Sequence, residues 1–91
     1  MFSRMNLELR IALERLLYLN AVQAHVLGGF ELAAGPKVRI KHSEVTRYVA
    51  ERLGREFSPA LGRDVLQAMK AHGWRHVRHS CMYWWKGVKR K

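Results

Sequence analysis

Side chains that could bind a metal or take part in catalysis are concentrated in residues 73–87, which read GWRHVRHSCMYWWKG. With His72 just before it, this stretch holds three of the five histidines, the single cysteine and all three tryptophans. Zinc prefers the ligand types found at His72, His76, His79 and Cys81. The glycine after His72 is typical of a helix end, so His72 and His76 are not expected to lie one turn apart on a helix. His76 and His79 straddle a predicted turn and are not expected to converge. The sequence therefore predicts no metal and no other cofactor.

The sequence contains few residue combinations that could serve as a catalytic site. Cys81 and His79 are a possible nucleophile and base by type. They lie two residues apart at a predicted turn, with no third group to orient them and no pocket. The acidic residues Glu51, Glu56 and Asp64 each lie near arginines, as in surface ion pairs, rather than as paired catalytic carboxylates. We expect a protein that is not an enzyme.

The charge distribution favours a polyanionic partner. The 91 residues carry a formal net charge of +10, with 17 Lys and Arg against 7 Asp and Glu. Seven basic residues follow Asp64, and no acidic residue does. This balance is typical of proteins that bind nucleic acid. The length fits one domain, residues 1–91, and the 48% apolar content argues against disorder.

The compartment is expected to be the cytoplasm. Cys81 alone cannot form an intrachain disulfide, so nothing points to an oxidising compartment. Charges at Glu8, Arg10, Glu14 and Arg15 argue against a signal-peptide core or a membrane span near the start. We therefore expect no membrane partner.

Three helices follow from periodicity and capping residues. The first is predicted over about residues 7–27, with Asn6 as its N-cap and Gly28-Gly29 as its stop. The second and third form a pair over about residues 43–72. Ser43 is predicted to cap the second helix, which Gly54 closes, and Ser58-Pro59 is predicted to start the third, which Gly73 ends. The buried stripe predicted for the first helix comprises Leu9, Leu13, Leu16, Leu17, Val22 and Leu27.

The remaining segments predict short strands and loops. KVRIK at residues 37–41 alternates as a short strand with one solvent-exposed side, and the preceding FELAAGP reads as a loop or a frayed extension. β-forming residues on both sides of His79-Ser80-Cys81 predict an antiparallel hairpin over about residues 74–86. The basic tail, residues 87–91, is expected to be frayed.

This order of helix, short strand, helix, tight turn, helix and hairpin resembles the winged helix-turn-helix family over residues 7–87. The most characteristic piece is FSPALGRDVLQAMKAHGWRHVR…YWWKG. It consists of a helix that begins with proline and is followed by Gly-Trp, then a strand that carries arginines, then an aromatic strand that ends in glycine. It looks like the winged-helix domain at the C-terminal end of phage and poxvirus primase-helicases. The resemblance implies an α+β fold of three helices, a short strand and a C-terminal hairpin wing, and a role in transcription regulation or replication. The sequence contains no GxxxxGK[ST] loop, so ATPase chemistry does not carry over.

The resemblance also implies where duplex DNA would bind. In such folds the third helix enters the major groove, and hairpin cations suit the phosphate backbone. At 100° per residue, Leu61, Val65 and Met69 fall on one side of the third helix, opposite its polar side chains. Arginine can pair with guanine and glutamine with adenine. The residues expected to contact DNA are Ser43, Arg47, Ser58, Ala60, Arg63, Gln67, Lys70, Arg75, Arg78 and Lys86.

Most hairpin aromatics are expected in the core, because a small domain needs them there. Trp74 is predicted to be structural, because it follows the glycine that ends the third helix, where the wing begins and must be anchored. Trp84 and Trp85 alternate along one strand, so one of them is expected to be exposed or in an interface. A second possibility for the aromatic cluster is stacking on unpaired bases.

Other partners remain open from the sequence. Winged helices also serve as protein docking modules, and the same cations suit RNA or single strands. The first helix carries more apolar surface than one face needs. It is therefore either central to the core or paired with a second copy, in a homodimer of the kind that the family resemblance suggests.

Overall fold

The computed structural model describes residues 4–91, with side chains from Asn6 onward. It is an α+β fold of three helices and two antiparallel sheets. The elements in chain order are α1 (Arg4–Gly29), β1 (Phe30–Leu32), β2 (Arg39–Lys41), α2 (His42–Leu53), α3 (Pro59–Ala71), β3 (Arg75–His79), β4 (Met82–Lys86) and β5 (Val88–Arg90). None of the helices in this described part of the chain combines the length and apolarity that a membrane span requires.

The first helix is longer than its predicted range. It begins at Arg4, so Asn6 lies within the helix and the prediction of Asn6 as N-cap is wrong. It also continues through Gly28 to Gly29, where a side chain would collide with the ring of Tyr48. Glycine at this position therefore permits close packing of α1 on α2.

The buried stripe predicted for α1 is wrong over the first half of the helix. Leu9, Leu13, Leu16 and Leu17 are between 52% and 67% exposed, whereas only Val22 and Val26 among its large aliphatic residues are fully buried. The reason is tertiary: the rest of the chain packs on the second half of α1 alone. The molecule is accordingly elongated, 59 Å in its longest dimension and 23 and 22 Å in the others.

Two segments predicted to lack structure pair as strands. The predicted loop that starts at Phe30 contains β1, and the predicted frayed tail contains β5; they pair with Leu32 opposite Val88. Both predictions are wrong because Phe30 and Val88 are buried in the core, so burial holds these ends in place. Gly87, at φ +72°, lets the chain turn sharply from β4 into β5.

The predicted strand and hairpin form the other sheet, in the order β2-β4-β3. The hairpin is confirmed, with a turn at Ser80 and Cys81, both at positive φ. A two-residue turn of this kind matches the natural twist of the flanking strands. Side chains directly opposite one another in this sheet project from the same face, so the strand register shows which side chains share a surface.

The helix pair starts and ends mostly as predicted. Ser58 caps α3, its Oγ accepting a hydrogen bond from the Leu61 N–H at 3.1 Å, with Pro59 in the first turn. Gly54 ends α2 in the left-handed conformation. The prediction of Ser43 as a cap is wrong, because α2 begins one residue earlier, at His42, after Lys41, which makes no side-chain capping bond.

One core joins all three helices to both sheets. Trp85 is its largest fully buried side chain, and Trp84, on the opposite face, is partly exposed, as the alternation predicted. Trp74 is partly buried and packs against the core, in agreement with its predicted structural role. The buried apolar residues are Val22, Val26, Phe30, Val45, Val49, Ala50, Leu61, Val65, Met69, Trp85 and Val88.

Candidate nucleic-acid interface

The exposed side of α3 carries the polar residues that the helical wheel placed there. Leu61, Val65 and Met69 are buried against the core, which fixes the rotation of the helix about its axis. The opposite side is solvent-exposed and is called here the α3 face. It consists of Ala60, Arg63, Gln67 and Lys70.

An acidic residue of the same helix is held away from this face. The Asp64 carboxylate accepts a hydrogen bond from the Arg15 guanidinium at 2.9 Å and another from the Tyr18 hydroxyl at 2.9 Å. Burial raises the pKa of the Tyr18 hydroxyl, with a further contribution from Asp64. The Asp64 carboxylate thus binds side chains of α1, and the α3 face itself contains cations but no acidic residue.

A groove of about 770 Å³ lies beside the α3 face. One wall is α3, with Arg63, Leu66 and Lys70, and the opposite wall is the hairpin, with His76 and Tyr83. The lining combines apolar and aromatic side chains with cations, and it contains no aspartate or glutamate. Its floor is the start of α2, with contributions from Lys41, His42, Ser43 and Thr46.

His42 holds the walls and floor of this groove together. Its Nδ1 accepts a hydrogen bond from the Trp85 indole N–H at 2.9 Å, and its Nε2 lies 2.9 Å from the carbonyl oxygen of Gly62. An indole nitrogen can only donate and a carbonyl can only accept, so the ring must be neutral with its proton on Nε2. Burial lowers the pKa of His42, the nearby His76 lowers it further, and the bond to Gly62 acts in the opposite direction. Sequence reasoning missed His42, because nothing in its local pattern announces contacts 20 and 43 residues away.

The inner face of the hairpin, facing the groove, is a stack of rings. His76 stacks on Tyr83 with 4.9 Å between ring centroids and contacts Trp85 at 4.7 Å. The guanidinium of Arg78 lies 5.8 Å from the centre of the Tyr83 ring, so Arg78 belongs to this face. The Nε2 atom of His76 is buried with no hydrogen-bond partner among the described residues. Burial lowers the pKa of His76, and Lys70 across the groove lowers it further.

The outer face of the same sheet carries a separate row of cations. Arg39, Lys86 and Arg75 lie directly opposite one another on β2, β4 and β3, and this set is called here the outer cation row. The next pair, Lys41 and Trp84, adds an aromatic ring that Arg39 covers at 4.3 Å and Lys41 at 5.5 Å. Like charges directly opposite in a sheet repel. None of the ion pairs found within the described residues neutralises this row.

The predicted contact residues therefore fall on more than one surface. The α3 face brings together Ala60, Arg63, Gln67 and Lys70, with Ser43 in the adjoining groove. Arg75 and Lys86 lie on the outer face of the sheet, away from Arg78 on the inner face. Ser58 also lines the groove, but its oxygen is engaged in capping α3, and Arg47 is exposed on α2 outside the groove lining. The sequence pattern did not distinguish the two faces of the hairpin as separate binding surfaces.

The candidate zinc ligands are dispersed. His72 is hydrogen-bonded to Gln23 at 2.9 Å, His76 is in the ring stack, and Cys81 is exposed in the hairpin turn. Within residues 4–91, no three His, Cys, Asp or Glu side chains are grouped as a metal site would require.

The chain matches no family model, and comparisons with curated proteins and with solved structures found no match.

Proposed function

We propose that this chain is a winged helix-turn-helix protein that binds duplex DNA through the α3 face and the hairpin. The observation that carries the proposal is the α3 face itself: Arg63, Gln67 and Lys70 are exposed together, on a helix beside an acid-free groove. An α-helix fits the major groove, whose base edges these side-chain types can read. The biological role would be transcription regulation or replication in the cytoplasm, in a phage, plasmid or prokaryotic setting.

Base reading is assigned to Arg63 and Gln67. They lie four residues apart, so they are neighbours on the helix surface. Arginine donates two hydrogen bonds to guanine O6 and N7, and glutamine pairs with adenine N6 and N7. Ala60, one turn before Arg63, is small enough to let the helix approach the bases.

Backbone contact is assigned to the cations that flank the groove. Lys70 extends from the α3 face and Arg78 lies on the inner hairpin face, whereas the Lys41 ammonium lies over the Trp84 ring on the outer face. Ser43 and Arg47 add a hydroxyl and a cation at the exposed start of α2. Arg75 and Lys86 belong to the outer cation row, so they would reach phosphates only where a backbone passes along the outer face of the sheet.

A titration of labelled duplex at several salt concentrations tests the proposal. Each phosphate contact contributes about −0.9 to the slope of log affinity against log salt, so four or five contacts predict a slope of about −4. A selection from random duplexes would then give the preferred site. Absence of binding to any nucleic acid at low salt would overturn the proposal.

The competing functions give different results in the same titration. A protein docking module with an apolar interface would show no affinity for duplex. Its binding to its protein partner would depend little on salt. An RNA or single-strand binder would prefer those competitors over duplex, with bases stacked on rings such as Tyr83, which is 49% exposed.

A further inference from the structure

We infer that α1 pairs in parallel with α1 of a second copy of this chain, along a seam of Leu9, Leu13, Leu16 and Asn20. This inference concerns self-association and does not depend on nucleic-acid binding.

The first half of α1 exposes far more apolar surface than a solvated helix normally does. Leu9 is 61% exposed, Leu13 52% and Leu16 54%, and the adjacent Leu17 is 67% exposed. Isolated exposed leucines are ordinary, but a contiguous set on one element marks an interaction surface.

The spacing of these residues is that of a two-stranded coiled coil. Leu9, Leu13, Leu16 and Asn20 are separated by four, three and four residues, and the same alternation continues to Gln23 and Leu27. Apolar residues repeating every 3.5 positions on average form the contact seam of paired helices. The seam is therefore a heptad pattern with leucine at three successive positions and asparagine at the fourth.

The seam is accessible because it lies beside, and not within, the face of α1 that packs on the core. At 100° per residue, Leu13 lies about 140–180° around α1 from Val26 and Val22, and Leu16 lies about 80–120° from them. Those valines are fully buried, and they mark the side on which the rest of the chain packs. Over Leu9 to Asn20 a second helix can therefore approach the seam without displacing a contact of Val22 or Val26. At Gln23 the seam reaches the chain's own His72, to which Gln23 is hydrogen-bonded at 2.9 Å.

The available area predicts a reversible dimer. From Asn6 to Leu27 the helix is about 33 Å long, and at a width of about 10 Å it offers roughly 330 Å² per copy in projection. Two such strips total roughly 660 Å² in projection, short of the about 1,200 Å² that stable specific interfaces bury, so the pairing is a weak one. Association should therefore depend on concentration.

Asn20 decides the orientation. In a parallel pair, equivalent seam positions face one another, so the Asn20 amide meets the Asn20 amide of the second copy and each supplies a donor and an acceptor. In an antiparallel pair aligned over Leu9 to Leu27, Asn20 would face Leu16, which offers no polar partner. With the helices overlapping fully from Leu9 to Leu27, the parallel arrangement is the one that satisfies the amide.

Analytical ultracentrifugation of the full chain without nucleic acid tests the association. The parent should shift from monomer to dimer as its concentration rises, and Leu13→Glu should remain monomeric at concentrations at which most of the parent is dimeric. The matched control is Leu7→Glu, since Leu7 is also 57% exposed but lies on the opposite side of the helix from the seam. A parent that stays monomeric at all concentrations, or a Leu7→Glu variant as impaired as Leu13→Glu, would overturn the inference. Unchanged circular dichroism of both variants separates loss of pairing from unfolding.

Cysteine cross-linking tests the orientation. In a Cys81→Ser background, Asn20→Cys should form a disulfide between copies under mild oxidation, because equivalent seam positions in a parallel pair are close enough for one. Glu14→Cys, on the other side of the helix, is the control and should cross-link much more slowly. A dimer that cross-links no faster through position 20 than through position 14 would overturn the parallel arrangement.

Discussion

The indole N–H of Trp85 donates a hydrogen bond to Nδ1 of His42 at 2.9 Å, across 43 positions of the chain. Because Nε2 of the same ring bonds the Gly62 carbonyl, one neutral imidazole connects β4, α2 and the first turns of α3. The orientation of the α3 face relative to the hairpin therefore depends on His42 remaining uncharged. Protonation of Nδ1 would remove the acceptor that Trp85 requires.

We predict that stability falls as the pH is lowered through the range in which free histidine titrates. The pKa values of His42 and His76 are both lowered in the folded state, mainly by burial. Below a pH of about 6.5 the unfolded chain takes up protons that the folded chain does not, so the free energy of unfolding decreases. The decrease should stop once the pH falls below the folded-state pKa values. Urea denaturation at pH 7.5, 6.5 and 5.5 measures this.

The histidine variants assign this pH effect to residues. His42→Ala should lower the free energy of unfolding at pH 7.5 by about 1–3 kcal/mol, since the buried Trp85 N–H loses its partner. It should also weaken the pH dependence, and adding His76→Ala should weaken it further. His79→Ala, at an exposed position, is the matched control. A parent protein that gains stability on acidification from pH 7.5 to 5.5 would contradict the prediction.

We predict that Trp85 contributes more to stability than Trp74. Trp85 is fully buried, so Trp85→Ala should cost about 3–5 kcal/mol, whereas Trp74 is only partly buried and Trp74→Ala should cost less. Trp85→Phe keeps a ring in the core but leaves Nδ1 of His42 without a donor. Its loss of unfolding free energy should therefore fall between the losses for Trp74→Ala and Trp85→Ala. Equal costs for Trp74→Ala and Trp85→Ala would contradict this ranking.

The local signals in the sequence were enough to locate the helix pair. Ser58-Pro59, Gly54 and Gly73 are capping signals whose effect extends over one turn, and the structure has helix ends at each of them. The same applies to the rotation of α3, which the spacing of Leu61, Val65 and Met69 determines. Short-range chemistry was therefore readable without knowledge of the fold.

Long-range packing was not readable in this way. Leu13 and Val22 are both apolar residues at helical spacing, yet Leu13 is 52% exposed and Val22 is fully buried. The difference arises because the rest of the chain packs only on the second half of α1. Val88 lies in a basic tail but is buried, since β5 finds a partner 56 residues earlier at Leu32. Arg75 and Arg78 lie three residues apart in one strand, so alternation alone places them on opposite faces, but which of those faces meets α3 became evident only once the sheet was in place.

We predict that neutralising the centre of the outer cation row stabilises the fold at low salt. Lys86 lies directly between Arg39 and Arg75, so Lys86→Gln should raise the free energy of unfolding by about 0.2–1 kcal/mol by removing like-charge repulsion. The gain should shrink as salt screens the charges. The control is Lys89→Gln, because Lys89 is paired with Glu31 at 3.6 Å and its removal should bring no gain. Destabilisation by Lys86→Gln at low salt would indicate that the lysine stem, rather than its charge, dominates at this position.

We predict that base reading and backbone contact are separable by substitution. Arg63→Ala or Gln67→Ala should lose about 1–3 kcal/mol of binding free energy for the preferred duplex and little for random duplex, because base contacts carry the discrimination. Arg78→Ala should weaken binding to all duplexes alike and reduce the salt slope by about 1, as expected for one lost phosphate contact. Arg75→Ala, on the outer face of the hairpin, should reduce the slope less than Arg78→Ala if the duplex lies against α3. Arg10→Ala removes the same charge from an exposed position on α1 and serves as the matched control. If Arg63→Ala and Arg10→Ala bind the preferred duplex equally well, the α3 face is not the reading surface; if Arg75→Ala has the larger effect, the duplex lies along the outer cation row instead.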